Sequence, residues 1–272
     1  MNRRRTIVAG LLFAGIAAGC LAAPRLAPYA ADAIDLAHLK EAPSAAHWLG
    51  TDDLGRDVFS RMLFGGRISI LIGLVAALLG TAVGAIVGAA AGFSGRGIDN
   101  ALMRLTDVAY AIPSLPLLIV LSAYFNAAAA SMVLIIAGLS WMATARVVRA
   151  EVLTVKEMPF LEAARCLGAT NVRMIARHLL PHAAGSLIVG ATLGVGNAIM
   201  VESSLSFLGL GVQPPTPTWG NMLMDAQATM ASKPWLTIFP GAAILIVILT
   251  VNFLGDGLRT ALDRGPGDRK HG

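Results

Sequence analysis

Three groups of residues in this sequence have types and spacings that could do chemistry. The first is His47, Asp52, Asp53 and Asp57. A histidine among carboxylates can hold a divalent cation. Thr51-Asp52-Asp53 also precede apolar Leu54, Val58, Phe59, Met62 and Leu63, which share one helical face. There they can cap an amphipathic helix on a membrane surface. Capping accounts for every carboxylate, whereas one histidine makes a thin metal set, so no metal site is predicted. The second is Glu202, an ionisable group inside a long apolar run. Such a group is costly at membrane depth and faces a bundle interior or water. It could line a pathway, pair with a neighbouring subunit, or sit near the outer interface. The third is Glu162-Ala163-Ala164, then Gly168, then His178-Leu179-Leu180-Pro181. No phosphate-binding Gly-x-x-x-x-Gly-Lys-Ser/Thr loop, His-Glu-x-x-His or Gly-x-Ser-x-Gly pattern occurs, so no nucleotide site or nucleophile is evident. Cys20 and Cys166 lie far apart, which argues against a disulfide framework and a zinc site. The chain is expected to be no enzyme and to carry no cofactor.

The elements that must position these residues are set by composition. Of 272 residues, 56% are hydrophobic and 14% charged, and the mean hydropathy is +0.70. Soluble domains carry roughly 25% charge, so a soluble enzyme and a disordered chain are both excluded. A polytopic all-α membrane protein fits, and 29 glycines and 13 prolines suit membrane helices. The net charge of +5 marks topology rather than nucleic-acid binding, because the basic residues flank apolar runs.

Six apolar runs are long enough to span, at about 6–23, 68–92, 105–124, 130–148, 183–207 and 236–256. The third and fourth divide the uncharged stretch Val108–Ala145 near its middle, at Tyr124-Phe125-Asn126. The first follows Arg3-Arg4-Arg5 and could be a signal peptide, with Ala17-Ala18-Gly19-Cys20 as a loose cleavage site. An uncleaved first membrane helix is the better reading. The Lys and Arg of the N-terminus, of 93–104, of 146–177 and of the tail outnumber those of 24–67 and the Pro-rich loop 213–219. The positive-inside rule then places both termini in the cytoplasm. The divisions are 1–66, a first helix and extracytoplasmic segment; 67–260, a five-helix core; and 261–272, a cytoplasmic tail. Gly80, Gly84, Gly88 and Gly92 recur every four residues, and such a stripe lets a second helix approach closely. Gly190 and Gly194 repeat the spacing. Arg104 with Asp107, and Asp256 with Arg259, are spaced for local ion pairs.

Around Glu162 the residues predict a short helix, a turn at Gly168, and a second helix capped by Thr170 or Asn171 and ending at Pro181. A small-faced helix outside the membrane suits another protein's groove; a basic linker lying on the membrane is the alternative. The segment resembles the EAA loop of inner-membrane permeases of ATP-binding-cassette importers, with His178 where that pattern has isoleucine. Further stretches resemble the C-type subunit of the dipeptide, oligopeptide and nickel branch. They are His47–Asp57, Leu205–Gly211 with Gln213–Gly220, and Asn252–Arg259.

The resemblance implies a permease subunit with about six transmembrane helices and a cytoplasmic two-helix coupling loop in the inner membrane. It implies a heterodimer with a second permease, two ATPase subunits that hydrolyse ATP, and an extracytoplasmic substrate-binding protein. It assigns Glu162, Ala163, Ala164, Gly168 and Pro181 to coupling. The cargo would be di- or oligopeptides, with nickel or another small solute such as glutathione as the alternative. A secondary transporter would be expected to show repeats and polar midplane sites, and an intramembrane enzyme would need a nucleophile or metal cluster at depth. Neither is evident.

Overall fold

A computed structural model describes residues 3–125, 128–166 and 168–263. Among them the regular elements are helices, and the one β-bridge joins Thr51 to Asp57. Helix α1 covers Arg3–Leu21 and α2 Ala23–Leu26; α3 runs from Val58 to Phe93. Helices α4 (Arg96–Ala111) and α5 (Ser114–Tyr124) form one bent pair, α6 (Ala129–Gly138) and α7 (Trp141–Val155) another. The loop after α7 holds α8 (Pro159–Cys166), α9 (Asn171–Met174), a π turn at Ile175–Leu179, and α10 (Leu180–His182). Helix α11 is Ala184–Phe207, α12 is Trp219–Ala226, and α13 is Trp235–Asp263. Four helices are long and apolar enough to cross a membrane, six spans if each bent pair counts as one.

The two bent pairs depart from straight predicted spans. The third run breaks at Ile112-Pro113 with a bend of 83°, because Pro113 offers no N–H and forces Ile112 into an extended conformation. The fourth breaks at Leu139-Ser140 with a bend of 43°. Asn126, part of the predicted turn between them, lies outside the described residues, as does most of the predicted tail, 264–272.

Nor is there a separate surface helix after Thr51. Asp57 caps α3, its carboxylate accepting from the Ser60 N–H at 2.7 Å. The helix then runs on for 36 residues, about 54 Å at 1.5 Å per residue. Leu54 precedes it, Val58 is buried in the core, and the boundary expected at residue 66 falls inside it.

Alpha3 is the axis of the bundle. A Cβ on Gly84 would lie 2.5 Å from the Trp141 carbonyl oxygen, and one on Gly88 2.3 Å from that of Ala145. Gly80 and Gly92 face Ser140, and Arg149 with Val152, in the same way. The glycine stripe is where the α7 backbone touches α3. Nearer the start of α3, Cys20 and Trp219 fill the space over Gly66. Trp219 is anchored by its indole N–H on the Met62 carbonyl at 3.0 Å.

Candidate functional site

The loop that carries α8 is built from its buried residues outward. Leu161, Met174 and Leu179 are buried against Val148, Val152 and Val155 of α7 and Ala85 and Ala89 of α3. With Leu161 inward, helical spacing turns Glu162 and Ala163 outward, and both are exposed; Ala164 is half-buried. Gly168 adopts φ +82°, and a Cβ placed on it would meet nothing within 4 Å. The Ala169 N–H reaches back to the Ala164 carbonyl at 3.1 Å. That is a left-handed C-terminal cap satisfying a carbonyl that the helix leaves free. Thr170 starts the next helix, its hydroxyl accepting from the Arg173 N–H at 3.3 Å.

The second helix does not end at Pro181. It loosens into the π turn, where Pro181 has no N–H for the preceding turn, and passes through His182 and Ala183 into α11. Pro181 itself is exposed. His178 is half-buried with its ring 6.0 Å from that of Phe160, an aromatic contact where the related pattern has an aliphatic one. The start of the loop is tied to α3 by Lys156, whose ammonium donates to the Gly92 carbonyl at 3.1 Å.

Ion pairs fasten α4 to α7. The Arg149 guanidinium donates to Asp99 at 2.7 Å. Asp107 accepts from Arg146 of α7 at 2.9 Å, not from Arg104 in its own helix as the spacing suggested. Arg146 also lies over the Tyr110 ring at 4.6 Å. Ser186 of α11 donates to Glu151 of α7.

Where the two bent pairs break, a cavity of about 600 Å³ opens, lined by Thr81, Tyr110, Ser140, Thr144, Gly190 and Asn197 among others. A second, of about 280 Å³, shares Ser140 and Asn197 and continues to Ser204. Together they follow α11 from Ser186 to Ser204, about 27 Å of helix rise against a hydrocarbon core of about 30 Å. Among the described residues the lining is hydroxyl, amide and apolar, without an Asp, Glu, His, Cys, Lys or Arg. Asn197 is exposed near the middle of α11. Sequence reasoning passed over Asn197, although it is the one amide in that run, and over the serines and threonines at the breaks.

Glu202 lies on another face of α11. It is wholly buried, accepting from Ser206 at 2.8 Å, Ser69 at 3.1 Å and Ser203 at 3.4 Å. Neither cavity along α11 is lined by it. Beside it, Thr218 and Asn221 form a reciprocal cap that starts α12.

The acidic group between α2 and α3 is consumed by protein partners. His47 Nδ1 meets Asp57 at 2.9 Å. Asp52 accepts from Arg56 at 2.7 Å and faces Arg61 at 3.3 Å. Arg56 and Arg61 both reach Asp225 of α12, at 3.3 and 3.4 Å. Burial pushes the Asp225 carboxyl above the ordinary carboxylate range, against the pull of Arg61 and Arg56. Among the described residues no group of three or more His, Cys, Asp or Glu is arranged to hold a metal ion.

Residues 69–267 match the protein family described as binding-protein-dependent transport system inner membrane component. A protein of Brucella suis named as a peptide permease is 42% identical over 265 residues, 97% of this chain and 88% of the relative. The glutathione transport system permease protein GsiD of Pectobacterium atrosepticum is 42% identical over 264 residues, with the same coverage of 97% and 88%. That of Escherichia coli is 43% identical over 239 residues, 88% of this chain and 79% of the relative.

Proposed function

The chain belongs to the family of binding-protein-dependent transport system inner membrane components, and from that premise we propose that it forms one wall of a peptide pathway driven by separate ATPase subunits. It is a multi-pass inner-membrane permease of an ATP-binding-cassette importer. The observation that carries the pathway is the polar groove along α11 with Asn197 exposed at its middle. An amide at that depth is tolerated facing water or another helix rather than lipid tails. The second wall is a partner permease in a heterodimer.

Peptides are the cargo favoured by the lining. Hydroxyl and amide groups match peptide N–H and C=O groups, whereas a bare divalent cation calls for carboxylate, imidazole or thiolate ligands. Relatives named as peptide and glutathione permeases agree with this choice, glutathione being itself a small peptide. An extracytoplasmic binding protein delivers the cargo. The chain itself carries out no covalent step and uses no cofactor. Both termini and the α8 loop face the cytoplasm, as the distribution of Lys and Arg supports.

Glu162, Ala163 and Ala164 present the docking face to an ATPase subunit, Gly168 turns the chain behind them, and Pro181 marks the return to α11. The test is ATP-driven uptake by the reconstituted complex with Gly168→Asp. A side chain at φ +82° is strained by roughly 1–2 kcal/mol. The added charge lies beside the docking face and away from the spans. Uptake should collapse and the ATPase subunits should be lost on purification while the variant still inserts. Unchanged uptake and co-purification would reduce the loop to a passive linker.

A further inference from the structure

Between the extracytoplasmic segment, the first turns of α3 and the Pro-rich loop lies a groove of about 390 Å³ that the transport reading does not use. Its walls carry Asp32, Phe64, Arg67 and Leu71, and Pro215–Pro217 closes one side. Arg67 and Asp32 are both exposed. Opposite in charge and lining one groove, they form no ion pair with each other or with any described residue.

Arg67 is the last charge before the uncharged stretch of α3, so it stands where the helix enters the hydrocarbon. Below it the same helix face is apolar and open. Leu71, Leu74 and Leu78 are 48%, 43% and 53% exposed. At 100° per residue they and Arg67 fall within one narrow stripe. The stripe descends about 16 Å from Arg67 to Leu78.

A cation and an anion set apart at an interface, above an apolar track, match a ligand with an anion and a cation at one end and a hydrocarbon tail at the other. We propose that this groove holds an ethanolamine phospholipid. Its phosphate lies on the Arg67 guanidinium, its ammonium donates to the Asp32 carboxylate, and one acyl chain follows Leu71, Leu74 and Leu78. Arg favours phosphate through its planar fork of donors. A carboxylate accepts hydrogen bonds from a primary ammonium but can receive none from a quaternary one.

The experiment uses the intact complex, purified and placed in vesicles of phosphatidylethanolamine, phosphatidylcholine or phosphatidylglycerol. Extraction in mild detergent and native mass spectrometry then read the retained lipid. Wild type should retain phosphatidylethanolamine over phosphatidylcholine by about tenfold, the selectivity expected of a charge-assisted contact. Asp32→Asn should abolish that preference while phosphate binding persists. Arg67→Gln should lose retention of every lipid. Assembly with the ATPase subunits, read from the same spectra, checks that each variant is folded. Equal retention of the three lipids, or retention indifferent to both substitutions, overturns the proposal. So does a cross-link from Leu71→Cys to the partner permease in place of lipid, since a protein would then cover the groove.

Discussion

Replacing Gly88 by alanine should loosen the contact between α3 and α7, and the size of the effect follows from distances. The new Cβ would stand 2.3 Å from the Ala145 carbonyl oxygen and 2.9 Å from the Val148 Cβ. A comfortable carbon–oxygen contact is about 3.3–3.6 Å, so α7 must withdraw by about 1 Å. Neither neighbour can swing aside: one is backbone, the other the branched carbon of a valine held in a helix. Overpacking of this kind costs about 1–3 kcal/mol. Gly15→Ala in α1 is the control, because nothing lies within 4 Å of its Cβ. Both substitutions gain the same helix propensity, up to about 1 kcal/mol, so that gain cancels in the comparison. Gly15→Ala should be neutral or stabilising, and Gly88→Ala should fall below it by about 1–3 kcal/mol. Gly84→Ala combined with Gly88→Ala should cost less than the sum, since one withdrawal relieves both. Fluorescence-monitored thermal scans of the purified complex read the order, and transport per ATP hydrolysed reads the consequence for α7. A Gly88→Ala protein as stable as Gly15→Ala would refute the packing argument.

Other outcomes follow from the polar contacts. Arg61→Met leaves Asp225 and Asp52 short of a buried partner and should destabilise the protein by about 3–5 kcal/mol. Because burial already raises the Asp225 carboxyl, the folded variant holds that proton more tightly than the unfolded chain does. Its stability should therefore recover as pH falls toward the ordinary carboxylate range, and Asp225→Asn added to Arg61→Met should remove that recovery in thermal scans. The exposed His38–Asp35 pair is also lost as pH rises, in a higher window. Its hydrogen bond to Asp35 raises His38, and its hydrogen bond to His38, then one from the Ala37 N–H, lower Asp35. The contact is complete between the ordinary carboxylate and imidazole values and fades as pH rises above about 6.5. Hydrogen exchange at residues 35–40 should quicken there, and His38→Asn should abolish the dependence. Cys166 is exposed on α8 while Cys20 is buried. A maleimide applied to the permease should therefore label Cys166 and spare Cys20, and bound ATPase subunits should protect Cys166. Labelling that ignores the ATPase would place the docking face elsewhere.

What could be read from the sequence depended on whether one helix sufficed to define the feature. The spans announced themselves through uninterrupted apolar runs, and the glycine stripe through its period. Gly168 was legible because a turn between two short helices calls for that residue. The breaks at Pro113 and Ser140 were not, since runs were judged by hydropathy, and a break inside an apolar run leaves hydropathy unchanged. Asp107 misled for a related reason. Spacing shows the partner in the same helix, Arg104, and cannot show Arg146 across the bundle, whose claim depends on how α4 and α7 cross. Charge drew attention to Glu202, yet three serine hydroxyls enclose it. Asn197, an uncharged amide of lower rank by that criterion, is the one that reaches the groove.

The geometry also shows how motion at the loop can reach the groove. Alpha7 lines the cavity at its first turns through Thr144 and Val147, and its other end leads within four residues into α8. Alpha11 leaves the same loop at Ala184 and carries Gly190 and Asn197 along the cavity. Both walls are thus anchored at the α8–α10 loop, where Ser186 donates to Glu151 and Leu161, Met174 and Leu179 fill the space between them. A packed core transmits displacement because it has few voids to absorb it. If Glu162 and Ala163 are the docking face proposed above, a push on them would pass through Leu161 to Val152 and Val155 of α7. Alpha3, pinned to α7 by glycines with no side chain to yield, moves with it. The compliant points are the breaks at Ile112-Pro113 and Leu139-Ser140, where the helical hydrogen bonds are already interrupted. Stiffening the second of these, with Ser140→Ala to favour a continuous helix, should leave ATPase docking intact while slowing uptake. Uptake unchanged by that substitution would mean the break is a fixed bend, with the moving joint elsewhere.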